Sequence, residues 1–384
     1  MELLKIQPKY IFGKNAVNEL VNQIDKNKYT KALILTGINS YKVNNSFAEL
    51  KAVLNQINLD YVHFEGIEPN PKSETIDVCI EFCLKNKIDL IIALGGGSVI
   101  DAAKVVATLV KNDQFSNSFQ YVLKGDNLLD ALDIIAVLTI SGTGSESNGE
   151  SVISNAITMQ KVCVSNNKAI PKIAVLDPSY TFSVNPWQTA SGIFDSFCHL
   201  LEQYFGKSCF EWTKEYIFAN LRVLLNYAKM AILRPLHFDV RANIMWTSCM
   251  SLNGLASFCS QSDWSIHTIE HAFSGLWDIT HGAGLALITP IYLDVRANKE
   301  KWFHDKLIDL GRKVFKTKTQ QETIEFLINF IKSINLPTRW IEFSKIKEFS
   351  NENINFLLNH CYRFGDKNLR QIYEEVILKI RENN

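Results

Sequence analysis

Two kinds of hydrophobic pattern divide the chain. In the first half, residues 31–36 (KALILT), 88–94 (IDLIIAL), 134–139 (IIAVLT) and 172–177 (KIAVLD) are short apolar runs without polar alternation. Each stops at a turn former or a polar residue, which predicts strands buried on both faces. Residues 73–87 place Ile76, Val78/Cys79 and Phe82/Cys83 at helical spacing, with Ser73 as the expected N-cap. Strand, helix and strand in alternation predict parallel strands joined by right-handed crossovers. Beyond Pro186 the period becomes helical throughout, over 187–205, 210–233 and 240–258. The polar run 350–355 reads as a loop, and the last twenty residues read as a closing helix. The pattern thus predicts an α/β half over residues 1–182 and a helical half over 183–384.

Composition narrows the class. The 384 residues carry 40 Lys+Arg against 40 Asp+Glu, and 47% are apolar. That apolar share suits a packed core and excludes disorder, and the balanced charge offers no electrostatic reason for a nucleic-acid or anionic-membrane partner. The opening MELLKIQPKY lacks the apolar centre of a secretory signal, and the apolar stretch 90–100 is too short to span a bilayer. The eight cysteines (79, 83, 163, 198, 209, 249, 259 and 361) form no CxxC pair. Such usage fits a reduced, cytoplasmic protein.

Two glycine-bearing turns carry the first candidate chemistry. Gly95, Gly96, Gly97 and Ser98 lie between a strand and a helix, where backbone N–H groups can face a phosphate. Taken alone, this is equally an ordinary tight turn; it is neither GxGxxG nor a Walker A loop. A second turn, 139–148 (TISGTGSESN), also follows a strand and offers the Thr139, Thr143 and Ser145 hydroxyls. Parallel strands put both turns on one edge of the sheet, the edge where open α/β sheets bind ligands.

The second candidate is a cluster of histidines. His267, His271 and His281 fall within fifteen residues, and His267 and His271 share a helix face. His281 lies in DITHGAG, which reads as a helix end. Upstream, Asp195 and His199 are again four apart. A lone pair of this kind is usually a helix-face hydrogen bond. Three imidazoles and one carboxylate together suit Zn²⁺ or Fe²⁺ and would leave a site of net charge +1, able to polarise a carbonyl oxygen. His63, His237, His304 and His360 read as surface or satisfied core residues.

GGGSVIDAAK, TISGTGSESN, AVLDPSYT, GIFDSFCHLLEQY and IHTIEHAFSGLWDITHGAGLALITP resemble the iron-containing, or group III, alcohol dehydrogenase family. The likeness runs in order over nearly the whole chain, and DITHGAGLA with SDWSIHTIEH is closest to the butanol dehydrogenase branch, which includes NADPH-dependent aldehyde reductases. The resemblance implies a Rossmann-like α/β N-terminal domain and an all-α C-terminal metal-binding domain, with the active site between them. It implies Asp195, His199, His267 and His281 as ligands of Fe²⁺ or Zn²⁺, with His271 as a non-ligand catalytic histidine. It matches Gly96, Gly97, Ser98 and Asp101 to the pyrophosphate loop. Thr139, Thr143 and Asn148 match the nicotinamide-end turn, Lys161 a ribose-side lysine, and Asn70 and Tyr180 further nucleotide contacts. A homodimer is the family's expected assembly.

Three departures stand out. Val137 replaces a frequent proline, and Glu150 stands where relatives have a small residue beside the nucleotide. Where NAD-preferring members place an Asp after the first strand, this chain has Gly37, followed by Ser40 and Lys42. With no carboxylate there to repel a 2′-phosphate and an ammonium to hold one, NADP(H) is expected over NAD(H). The implied reaction is metal-assisted hydride transfer between NAD(P)H and a small aldehyde or primary alcohol. Phe258, Trp264 and Trp277 are candidates for an alkyl pocket, though their spacing fits core packing. One rival is a dehydroquinate synthase-like metal/NAD lyase, which needs basic residues for a phosphate-like substrate; residues 255–285 contain no Lys or Arg. The other is a non-catalytic nucleotide- or metal-binding protein.

Overall fold

The computed structural model describes residues 8–125, 129–208, 210–258, 260–343 and 349–383. Cys209, Cys259 and the first seven residues therefore lie outside the described residues. The chain divides into two compact units. One holds the described residues up to Val184 together with Pro235–Cys249; the other holds Asn185–Arg234 and the chain from Met250 onward.

The first unit is built on a parallel sheet of six strands. These are β1 (Lys9–Phe12), β2 (Lys31–Gly37), β3 (Asp60–Ile67), β4 (Leu90–Gly95), β5 (Asp133–Leu138) and β8 (Ile173–Leu176), in the order β1-β8-β5-β4-β2-β3. The remaining strands, β6 (Glu150–Asn155) and β7 (Gln160–Ser165), form a separate antiparallel pair. Every residue of β4 is buried, and only Lys31 of β2 is partly exposed, as expected for strands covered on both faces. Beneath the sheet, Leu33-flanking Ala32 and Ile34 join Leu90, Ile92, Val137 and Val175 in one apolar cluster with Leu50 and Leu54. From β2 the chain goes to β3 on one side, then crosses to β4 on the other. That reversal opens a crevice at the C-terminal ends of β2 and β4, where Gly37 and the Gly95–Gly97 turn lie.

The helical unit contains Pro186–Tyr204, Glu211–Leu233, Ser265–Trp277 and His281–Lys299, followed by further helices to Glu382. Pro186 opens its helix at the first turn, and the Asn185 side chain caps it by accepting the Gln188 N–H at 2.8 Å. No helix among the described residues is long and apolar enough to cross a membrane.

Four local expectations are corrected. Ser73 is the first helical residue rather than the cap, which is Lys72; its hydroxyl instead meets Glu74 and Asn155. The helix expected over 240–258 is Phe238–Ser251. Its Trp246 packs edge-on against Tyr10 (5.6 Å) and Phe12 (5.3 Å), so this segment belongs to the unit that contains β1. His281 does not close a helix but begins one, after Asp278 in the left-handed region ends the preceding helix. Residues 350–355 are not a loop: Ser350 and Asn353 form a reciprocal capping box that starts the helix Asn351–Phe364.

Candidate active site

The helical unit brings its predicted ligands together. Asp195 and His199 are one turn apart on the helix Pro186–Tyr204, His267 is in the first turn of Ser265–Trp277, and His281 opens His281–Lys299. Asp195 Oδ1 lies 3.3 Å from His199 Nε2, 3.6 Å from His267 Nε2 and 3.5 Å from His281 Nε2. Close approach of the third helix depends on Gly282, where a Cβ would stand 2.0 Å from the Ser191 carbonyl oxygen.

Two glutamates behind the imidazoles were not anticipated. Glu202 accepts from His267 Nδ1 with one oxygen, while the other accepts the Ile266 N–H (2.7 Å) and the His267 N–H (3.2 Å). Glu270 accepts from His281 Nδ1 and from the Ser274 hydroxyl. Each carboxylate engages Nδ1 and leaves Nε2 directed at Asp195, the usual way a protein orients metal-binding imidazoles. Their spacing held a signal: Glu202 follows His199 by three residues and Glu270 follows His267 by three, so both are near the ligand face.

The electrostatics agree with a cation-seeking site. Burial would raise the Asp195 carboxyl, but His199, His281 and His267 hold it well below the usual range. Burial pushes His199 down to about 3, leaving a neutral imidazole. It would push His267 down as well, yet Glu202 and Asp195 lift that ring to about 10. Asp195 Oδ1 and His267 Nε2 are buried without a hydrogen-bond partner among the described residues. Buried polar atoms rarely stay unsatisfied, and ligand atoms of Asp195, His267 and His281 lie within 4.8 Å of one another. The donor set of nitrogens and one hard oxygen therefore fits a divalent ion of the iron or zinc type.

His271 stands beside this cluster, its ring centroid 6.1 Å from that of His267 and 5.6 Å from that of His281. Trp264 meets the rings of His199 (6.1 Å) and His267 (5.4 Å) edge-on. Trp277 packs instead in a cluster with Phe273, Trp340 and Phe349, and Phe258 packs against Phe210. Of the three suggested pocket residues, only Trp264 makes ring contacts with the histidines.

In the α/β unit the two glycine-bearing turns pack on each other. Cβ atoms on Gly96 and Gly97 would stand 2.3 Å from Ile140 and 2.4 Å from Thr143 respectively, and the Thr139 N–H donates to the Gly95 carbonyl at 3.0 Å. Gly96 caps the helix Gly97–Leu109, whose first turn includes Ser98 and whose N-terminal N–H groups form an anion-binding end. Thr139 Oγ1 is buried with no hydrogen-bond partner among the described residues.

Several other matched residues bond within the protein. Asp101 accepts the Ser145 hydroxyl (2.5 Å) and the Val152 N–H (3.0 Å), so both its oxygens are engaged within the protein. Asn148 accepts from the Glu150 N–H (2.9 Å) and from Lys104 (3.2 Å). Buried Lys104, which sequence reasoning passed over, also reaches Ser145 (2.8 Å) and the Glu150 carbonyl (2.6 Å), bracing the second turn. Lys161 is buried in β7 opposite Ser154. Asn70 adopts a left-handed conformation, with φ of 50°. Tyr180 belongs to the core, where its hydroxyl donates to Glu49. Ser40 and Lys42 form a short turn after Gly37, but the premise of an isolated ammonium fails: Lys42 pairs with Glu65 of β3.

Residues 7–178 match the iron-containing alcohol dehydrogenase family, and residues 189–384 match the C-terminal part of the same family. The chain belongs to that family. An iron-containing alcohol dehydrogenase is an NAD(P)-dependent oxidoreductase of alcohols and aldehydes, and both halves of this one carry the family pattern. NADH-dependent butanol dehydrogenase A of Clostridium acetobutylicum is 36% identical over 329 residues, covering 85% of this chain and 83% of that protein. NADPH-dependent aldehyde reductase YqhD of Escherichia coli is 30% identical over 336 residues, covering 85% of each. The crystal structure of E. coli YqhD superimposes with a TM-score of 0.91 at 27% identity, over 99% of this chain and 98% of that one. NADH-dependent butanol dehydrogenase A of Thermotoga maritima gives 0.90, also at 27% identity, over 98% of each.

Proposed function

We propose that Asp195, His199, His267 and His281 hold one Fe²⁺ or Zn²⁺ ion and that the enzyme interconverts a small aldehyde and its primary alcohol with NAD(P)H. The observation that carries this reading is the convergence of three imidazole nitrogens on Asp195 Oδ1, two of the rings being braced by Glu202 and Glu270. The balance is aldehyde plus NAD(P)H plus a proton giving alcohol plus NAD(P)⁺. When bound, the ion supplies Lewis acidity toward the substrate oxygen, and the nicotinamide supplies or accepts the hydride. The Gly96–Ser98 turn receives the pyrophosphate on its N–H groups, and Thr139 and Thr143 serve the nicotinamide end. Asp101, Asn148 and Lys104 hold those turns in shape. His271 delivers the proton that the substrate oxygen gains, a role suited to an imidazole beside the ligand cluster. Trp264 contributes an apolar wall that favours an alkyl substrate. The similarity to butanol dehydrogenases and to an aldehyde reductase supports this substrate class. The homodimer is carried over from the family and is tested by sedimentation of the purified protein.

Elemental analysis of oxygen-protected protein, followed by assays of butyraldehyde with each nucleotide, tests the reading. His267→Ala should lose both metal and turnover, whereas His271→Ala should keep metal and lose turnover by roughly 10²–10⁴-fold. Equal metal loss in the two variants contradicts the roles assigned. Turnover of a phosphorylated sugar acid in place of an aldehyde would support the lyase instead.

A further inference from the structure

The C-terminal ends of β2 and β4 flank the crevice created by the reversal in strand order, with Gly37 on one side and the Gly95–Gly97 turn on the other. In doubly wound sheets an acidic residue beyond the strand next to the glycine turn accepts hydrogen bonds from the adenosine ribose. Here that strand is β2, and its own following residues, Gly37 to Val43, include no acid. The neighbouring strand provides one. Thr36 pairs with Glu65 in register, and a shift in pairing follows at Gly37, which aligns with Ile67. From β3, Glu65 reaches the turn Ser40–Lys42: one oxygen accepts the Tyr41 hydroxyl at 2.7 Å and the other pairs with the Lys42 ammonium. Tyr41 is itself buried against Phe47 and His63, so the turn and the carboxylate are held together. The side chains of Glu65 and Lys42 remain 38% and 46% exposed, so the pair stands open to solvent beside the turn that follows β2.

We propose that Glu65 sets nucleotide preference, selecting NADH against NADPH by presenting a carboxylate to the adenosine ribose and by neutralising Lys42. The inference rests on the reading that the glycine turn holds a dinucleotide. A ribose 2′-hydroxyl can donate to a carboxylate oxygen. A 2′-phosphate, with a charge of about −2, has no proton to offer at neutral pH and must approach an anion. The single ammonium of this turn does not compensate, because it already balances Glu65. Such a preference runs against the expectation of NADP(H) drawn from Gly37, Ser40 and Lys42, and it puts the deciding residue on a different strand.

Calorimetric titration with ADP-ribose and 2′-phospho-ADP-ribose tests the proposal without turnover. The native enzyme should bind ADP-ribose more tightly. Glu65→Gln keeps an acceptor for Tyr41 but frees Lys42, and should shift the ratio of the two affinities toward the phosphorylated ligand by about 10- to 100-fold. Adding Lys42→Met to Glu65→Gln should remove most of that gain. Matching shifts are expected in kcat/KM for NADH and NADPH with butyraldehyde. Tighter native binding of the phosphorylated ligand, or an unchanged ratio in Glu65→Gln, overturns the role of Glu65 while leaving the dinucleotide site intact. Failure of both ligands to bind the native protein overturns the dinucleotide reading and this proposal with it.

Discussion

In the helical unit, Asp195 and the histidine Nε2 atoms turn toward a common centre, two of these atoms without a hydrogen-bond partner among the described residues, whereas in the α/β unit most polar side chains around the glycine turns satisfy one another. Asp195 Oδ1 and His267 Nε2 are buried and unsatisfied, while Asp101, Asn148 and Lys104 bond among themselves. On the proposed reading, the difference follows from what each ligand would offer. A divalent ion contributes concentrated charge and repays the burial of bare donors. A pyrophosphate is long and already solvated, so a surface of backbone N–H groups and absent Cβ atoms suits it, with side chains serving to fix the loops. The charge count also differs from that of the four ligands alone. A +2 ion with Asp195, Glu202 and Glu270 leaves a net −1, spread over backbone N–H groups and Ser274.

Three experiments sharpen that contrast. The largest effect is expected from Glu202→Gln or Glu270→Gln, which change the group bonded to the imidazole nitrogen facing away from Asp195. Either should weaken metal affinity by roughly 10- to 100-fold, measured by chelator competition, with little change in nucleotide binding. An unaltered metal affinity would erase the distinction between braced and unbraced imidazoles. Next, Gly97→Ala introduces a Cβ into the Thr143 side chain, at 2.4 Å, and must spread the two turns. Nucleotide affinity should fall by about 10-fold while metal content stays constant, since a forced fit typically costs ~1–3 kcal/mol. Loss of metal in that variant would show that the two functions are not separable.

The smallest effect concerns Asp133, at the end of β5 opposite the glycine turns. Burial would raise its carboxyl, but Lys28 and Tyr29, with Lys172 nearby, hold it below the ordinary value. Its folded pKa is thus below the unfolded one, so its contribution is present above about pH 4 and is lost as pH falls through the folded value. Asp133→Asn should lower the Tm by a few degrees at pH 7, consistent with a pair worth ~1 kcal/mol or less. The gap from the native enzyme should close as pH falls through the folded value, with metal and nucleotide binding at pH 7 unaffected. A gap that widens in acid refutes the assigned partners.

Legibility in the sequence followed burial. β2, β4, β5 and β8 are covered on both faces and write themselves as apolar runs, so their positions could be read directly. β1 and β3 are edge strands with mixed exposure, and their alternating residues look like loop. The histidines and Asp195 stood out because helical spacing put them on shared faces. Glu202 and Glu270 carry the same spacing, but a glutamate on a helix is too common to signal burial. Glu65 was the least accessible to sequence reasoning. Its partner Lys42 is 23 residues away, and only strand register brings them together. Tyr180 shows the opposite case, a residue at a matched position whose hydroxyl donates to a glutamate, Glu49, that the sequence did not single out.

The return of Pro235–Cys249 to the sheet-bearing unit bears on how the protein is made. Trp246 covers Tyr10 and Phe12 on β1, an edge strand, so the ribosome must deliver nearly two-thirds of the polypeptide before that margin is sheltered. A nascent chain stalled at Val184 would display an aromatic border open to self-association. A shortened gene ending there should therefore yield aggregates, unless the fragment spanning the tryptophan is supplied alongside.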